Sequence, residues 1–319
     1  MKKYKLLMII LLIGVSSTTM YGKKNMIPKV NGYFQFRWQG IPEENAFPNT
    51  FKFRRGFVGV KGNIIPNLSY KITTNTAKGS FILYDAYLNI KFGQYFFIRL
   101  GQFKMPIGMD KLKSGSVTLF PERPLASSFV IDRDLGIMSN FKTKFILTQL
   151  GFFNGETKNK IDENKNKDLV ARMVLTPLSF LHIGGAYQTG KTGENEDSLQ
   201  NIHKYGIEIE IKTKSFLLSG EYIAGSIDTT NSMTYYVEAA YMLMFSKKYL
   251  YGIQPAIRYE TKDNNISLEN DANTYITSGI NIHFLPKHRI KLNLCYRMQM
   301  EEDQEIKDDM IITQLQFKF

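Results

Sequence analysis

Groups able to make or break bonds are few in this chain and lie far apart. The four histidines, His182, His203, His283 and His288, fall on separate segments; there is no Gly-x-Ser-x-Gly motif and no pair with metal-ligand spacing. Covalent or acid–base catalysis needs a nucleophile and a base within hydrogen-bond reach. The sequence therefore assigns no catalytic residue, no metal site and no cofactor, and points away from an enzyme. Cys295 is the single cysteine, which excludes an internal disulfide and leaves a thiol without a partner. What the chain carries in excess is positive charge: 41 lysines and arginines against 29 acids, a formal +12. Arginine's planar fork donates paired, charge-assisted hydrogen bonds to oxyanions and stays charged at any relevant pH. The chemistry within reach is anion binding, with nucleic acid, lipopolysaccharide phosphates or small anions as partners.

The elements that must hold these charges show in the hydropathy pattern. Thr313, Leu315, Phe317 and Phe319 form one row, interleaved with Gln314, Gln316 and Lys318. Ile290, Leu292, Leu294, Tyr296, Met298 and Met300 alternate in the same way with Lys291, Asn293, Cys295, Arg297 and Gln299. Successive side chains of a strand point to opposite faces, so this period of two fits a sheet with lipid on one side and water on the other. A soluble sandwich alternates too, but its apolar rows face a finite core. Here the pattern predicts sixteen strands, at 31–39, 51–63, 66–76, 80–91, 95–103, 134–142, 144–153, 167–175, 178–189, 202–213, 215–225, 231–244, 248–261, 273–284, 288–300 and 309–319. Tight connections such as Thr143, Thr176-Pro177 and Thr213-Lys214 take turns with long polar loops such as Asn154 to Asn166 and Lys262 to Ala272. That rhythm predicts an all-β, transmembrane antiparallel β-barrel with both termini on the inner side.

Met1 to about Gly22 reads as a cleaved secretory signal, with Lys2, Lys3 and Lys5 ahead of the apolar run Leu6 to Val15, which is too short to span a bilayer. Residues 23–319 then form one barrel domain, and loss of those three lysines lowers +12 to +9. No stretch of 18 apolar residues follows, whereas aromatics make up 13% of the chain, as interfacial girdles require. Export and the barrel pattern disfavour nucleic acid. They leave outer-membrane lipid, lipopolysaccharide and small inorganic anions as partners, in the outer membrane of a Gram-negative bacterium.

One connection breaks the rhythm. Residues 104–134, between the fifth and sixth strands, are too long for an unstructured loop and too apolar for a disordered one, with Met105, Ile107, Leu119, Phe120, Phe129 and Ile131 available to pack. The expected packing place is inside the barrel, as a constriction loop.

The motifs around this loop resemble the phosphate-selective porin O and P family. They are Arg99-Leu100-Gly101-Gln102-Phe103-Lys104-Met105-Pro106-Ile107-Gly108, Glu122-Arg123-Pro124-Leu125 and Arg133-Asp134-Leu135-Gly136, with Phe53-Arg54-Arg55-Gly56-Phe57 and Tyr84-Asp85-Ala86-Tyr87 upstream. The resemblance implies a sixteen-stranded, trimeric porin for anions, phosphate or polyphosphate among them, whose long loop folds inward. By motif match, Arg54, Arg55 and Arg123 take the constriction arginine positions, Asp85 the acidic one, and Lys111, Lys113 and Ser114 the loop's lysine and serine positions. Phe319 takes the place of the terminal aromatic that signals assembly in that class.

Periodicity tests the carry-over. It turns Arg37, Arg54, Asp85 and Arg99 into the lumen and puts Ile82, Tyr84, Ala86 and Leu88 outward. Strict alternation aims Arg55 at lipid, at a cost of roughly 2–4 kcal/mol near the midplane, unless a bulge at Arg54-Arg55 intervenes. The inner rows of the tenth to thirteenth strands also carry Glu208, Glu210, Glu221, Glu238 and Glu260. These are expected in a wide, screened part of the lumen. The mixture supports anion preference without supporting a dedicated phosphate pore. The competing reading is a surface receptor or adhesin on a closed or non-selective barrel.

Overall fold

The computed structural model describes residues 27–40, 49–77, 79–162, 164–193, 199–300 and 309–319. The expected signal segment and the polar connection at 301–308 lie outside them. The strands are β1 Lys29–Gly40, β2 Thr50–Ile65, β3 Leu68–Asn75, β4 Ile82–Phe92, β5 Phe96–Lys104, β6 Arg133–Lys142, β7 Ile146–Phe153, β8 Asp168–Leu178 and β9 Leu181–Thr192. They continue as β10 Gln200–Lys212, β11 Phe216–Ile227, β12 Thr230–Tyr241, β13 Leu243–Lys247, β14 Leu250–Asp263, β15 Asn273–His283, β16 Ile290–Met300 and β17 Met310–Lys318. Each pairs antiparallel with its neighbours, and β17 pairs with β1, which closes the sheet.

β12 and β13 are one stave. Ala240 faces Ala256 and Leu243 faces Ile253, the same register on both sides of the gap at Met242. That register sets Pro255 across from Tyr241, and a proline has no amide hydrogen for the ladder. The barrel is therefore sixteen-stranded. Full closure removes the unpaired edges that a lipid environment cannot satisfy.

The inner rows are polar and buried, as in β17, where Gln314 and Gln316 are sealed while Ile311 and Phe317 stand exposed. The outer face is an apolar belt with Phe36, Ile137, Leu150, Val237 and Ile257 open to the surroundings. The tight turns use their threonines. The Thr143 hydroxyl accepts from the amides of Phe145 and Ile146, and Thr213 does the same for Ser215 and Phe216.

Two positions depart from strict alternation. Gln35 faces Arg55 while Phe36 faces Phe53, so Arg54 is an extra residue in β2. Thr73 faces Asp85 while Thr74 faces Leu83, so Tyr84 is an extra residue in β4. Each is a bulge, and each sends two adjacent side chains to the same face. Arg55 is thus not directed at lipid: it is 8% exposed on the lumen side. Tyr84, expected outward, also turns inward.

Candidate functional site

Residues 105–132 lie against the inner wall. Met105, Ile107, Met109, Ala126 and Val130 pack on Phe103, Met138, Phe153, Val170, Ile223 and Tyr236. Leu119 and Phe120 pack on Ala240, Ala256, Cys295 and Ile312. The segment contains one short helix, α1 Met109–Leu112, and a 3-10 turn at Leu125–Ser128. Its backbone polar groups are met by the wall's side chains. Gln35 donates to the Gly115 carbonyl (2.9 Å), Asn281 to Leu119 (3.0 Å), Lys291 to Thr118 (2.9 Å) and Gln316 to Ser116 (3.0 Å).

Glu210, Glu221 and Glu260 of β10 to β14 serve the same attachment. Glu221 accepts the Met109 amide, Glu260 accepts the Leu125 amide (2.6 Å), and Lys113 pairs with Glu210 (2.5 Å). Glu260 also holds Arg258 (3.0 Å) and Arg297 (3.4 Å), and Glu208 binds Arg172. Glu208, Glu221, Glu238 and Glu260 are all buried. The expectation of screened glutamates in a wide section is corrected: where a loop packs on a wall, carboxylates are drawn in to satisfy its amides and the neighbouring guanidinium groups.

Glu122 at the loop's far side binds both Arg37 and Arg54 (3.0 Å to the latter). Burial would push its carboxyl up, but Arg37 and Arg54 together outweigh this and hold it below the ordinary range. Asp110 behaves alike, with burial overcome by Arg123, to which it is paired at 2.6 Å. Lys111 is pushed down by burial.

Between the loop and β1 to β5 lies a cavity of about 780 Å³. Arg54, Arg55, Arg123, Lys111, Ser114 and Asp85, brought together by motif, all line it, and so does Arg99. Lys113 does not: its pairing with Glu210 places it on the other side of the loop, in a second cavity of about 370 Å³. Arg37 is fully buried beneath the loop, bound to Gln314 and Glu122. Phe319 borders the large cavity and exchanges backbone hydrogen bonds with Gly32 (3.1 and 3.2 Å).

Ten basic side chains line the large cavity against two acidic ones, Asp85 and Asp132. Asp85 is spent on Lys71 and Arg133, both at 2.6 Å, and Asp132 on Arg133 at 2.8 Å. Arg54 and Arg123 have Glu122 and Asp110. Six cations, Arg55, Lys61, Arg99, Lys104, Lys111 and Lys318, have no ion pair among the described residues. Arg55 donates to Gln35 (3.0 Å) and the Pro121 carbonyl (3.3 Å), and Arg99 to Asn89 (2.8 Å), all neutral acceptors. Lys71, Lys104, Arg133 and the ring of Tyr84 were not singled out by sequence. Lys104, Arg133 and Tyr84 all sit inside the quoted motifs, but the bulge hid the inward direction of Tyr84.

Residues 29–199, more than half of the chain, match the family model for phosphate-selective porin O and P. The chain belongs to that family. No curated protein matches it. Among solved structures it is similar to a loop L8 deletion mutant of OmpT, an outer membrane protein of Vibrio cholerae, at 9% identity and a TM-score of 0.67, covering 92% of this chain and 99% of that one. Salmonella typhi OmpF in complex with daunomycin is similar at 12% identity and a TM-score of 0.65, covering 92% and 98%. In-vitro folded OmpT of Vibrio cholerae, described as a trimer form, gives 10% identity and 0.62, covering 92% and 99%. At these identities the structures speak for the barrel alone. The family match makes this chain an outer-membrane porin.

Proposed function

We propose that this porin is a diffusion channel with anion preference, narrowed by residues 104–134 and selective through the cations between that loop and the β1–β5 wall. The observation that carries this reading is the set of six cavity cations without a carboxylate partner. A charge with no internal counter-ion adds its field to the passage even where, as with Lys104 and Lys111, the ammonium is seated on loop carbonyls, and low-dielectric walls screen it less than bulk salt would, where the screening length is about 8 Å. Arg55 and Arg99 can each present a planar fork to an oxyanion, while the sharing of charge over six sites keeps any one site weak enough for release. Phosphate falls within this preference, as the family's description suggests, without being its sole occupant. Export by the 1–22 signal and assembly as a trimer belong to the same proposal, the latter supported by the OmpT neighbour's description.

The test is the reversal potential of single channels in planar bilayers under a salt gradient. The wild-type porin is expected to favour chloride over potassium, and the Arg55→Ala/Arg99→Ala variant to move towards cations. An unchanged potential in the variant would refute the assignment, and absence of any conductance in the folded wild type would favour the closed-barrel reading.

A further inference from the structure

The connection between β7 and β8 does not stand clear of the barrel. The Asn154 amide donates to the Leu135 carbonyl (3.0 Å) and the Gly155 amide to the Asp134 carboxylate (2.5 Å), which lays the chain back over β6. Further on it meets the bulge of β4. The Asn159 amide donates to Gln102 Oε1 (2.7 Å), Gln102 Nε2 to Asn159 Oδ1 (3.1 Å), and Asn159 Nδ2 to the Leu83 carbonyl (3.0 Å). These contacts lie at the end of the barrel opposite the tight turns.

Satisfying the bulge does not require this clasp, since Gln102 by itself reaches the carbonyls of Leu83 (3.1 Å) and Tyr84 (2.9 Å). Gln102 stands in the outward row, level with Ala86 and Leu135, yet is only 3% exposed. The residue before Asn159 goes the other way. Lys158 holds its ammonium 5.0 Å from the ring centre of Tyr84, which the bulge turns inward. The loop therefore straddles the rim, with Asn159 on the outer side and Lys158 over the lumen. Thr157 and Asn159, on either side of Lys158, take φ of 77° and 62°, a left-handed backbone that is kept only where surrounding contacts hold it. Lys158 has no ion pair among the described residues. Its charge acts on Lys111 and Asp132, both of which line the large cavity.

We propose that Lys158 is the entry cation of the passage, a fixed charge that captures anions coming from the loop-bearing side, and that Asn159 and Gln102 position it there. This rests on the anion preference proposed above and adds a specificity-determining residue to it. A cation at a mouth works on the rate of capture: it raises the local anion concentration, the more so the less salt screens it. A cation against a ring is held by the ring's quadrupole without being neutralised, so its charge stays available to a passing solute. The extra residue of β4 thereby serves the loop on both sides of the wall, with the Tyr84 ring inside and the Leu83 carbonyl outside.

The test is single-channel chloride conductance in planar bilayers, with the folding of each variant checked by heat-modifiable gel mobility. In 0.1 M KCl, where the screening length is about 10 Å, Lys158→Gln is expected to lower the conductance about twofold and Lys158→Arg to keep it at the wild-type level. In 1 M KCl, where that length is about 3 Å, the Lys158→Gln channel is expected to match the wild type. Asn159→Gly keeps the left-handed backbone while removing the amide, and is expected to show the same loss at low salt. Lys160→Gln removes an exposed charge from the same loop and is expected to change nothing. Full conductance of Lys158→Gln in 0.1 M KCl overturns the proposal, as does a loss that persists undiminished in 1 M KCl or one that Lys160→Gln shares. A loss in Lys158→Gln that folded Asn159→Gly lacks strikes out the clasp. A failure of anion preference itself is read separately, from the wild-type reversal potential.

Discussion

The wall formed by β1 to β5 and the wall formed by β10 to β14 face the same loop with opposite consequences. On the second wall the acids are engaged: Glu260 holds two arginines and a backbone amide, Glu210 holds Lys113, Glu208 holds Arg172 and Glu221 takes the Met109 amide. On the first, ten cations line a cavity with two carboxylates, and six of them keep no acidic partner among the described residues. Charge counted along the sequence therefore misjudges the charge that a passing ion meets. The acids are present but consumed in seating the loop, and the field in the passage is what is left.

The largest test of this contrast removes a seat. Glu260 is fully buried, and Glu260→Ala strands Arg258 with Glu238 at 3.9 Å as its remaining carboxylate. Loss of one partner from a buried pair costs about 3–5 kcal/mol. The variant is expected to melt earlier on heating in detergent and to conduct more, because the loop loses its hold at Leu125. Unchanged stability and conductance together would mean that the acid wall does not carry the loop.

A smaller effect sharpens the other side. Arg54 has no partner residue across β1, so its deletion leaves Gln35 opposite Arg55 and Phe36 opposite Phe53. The shortened barrel is expected to fold, shown by heat-modifiable mobility, with only the Glu122 contact reduced. Deletion of Phe57, a paired position, shifts every later residue of β2 to the wrong face and is expected to abolish folding. Equal failure of both deletions would contradict the bulge.

The smallest expected effect is that of acid. The Glu122 carboxyl is depressed by Arg37 and Arg54 against the pull of burial, so its contribution to stability is complete above its ordinary value of 4.5 and is lost only as pH falls through the lower folded value. The difference in thermal stability between wild type and Glu122→Gln should thus hold steady from pH 7 to about pH 4.5. A drop centred on the ordinary carboxylate range would show that the Glu122 clasp is not formed.

The barrel was legible in the sequence because lipid outside and water inside impose one period on every strand, and sixteen repeats leave little else. The loop's inward packing was legible from Met105, Ile107, Leu119 and Phe120, whose apolar side chains had to be covered. The bulges divide instructively. Arg55 announced one, since a guanidinium facing lipid is too costly to stand, whereas Tyr84 announced nothing, because tyrosine is at home on either face of such a sheet. The seats of Glu221, Glu238 and Glu260 were readable as inner-row positions but not as anchors: their partners lie in an aperiodic segment, and no spacing along the chain encodes that meeting.

The six cations without an ion pair among the described residues have one further consequence for the proposed anion preference. Electroneutrality asks that charge left uncompensated by carboxylates be answered from solution, so under that proposal the passage at rest is stocked with mobile anions. It would then work as a small ion exchanger, in which an arriving solute displaces a resident instead of entering a vacant hole.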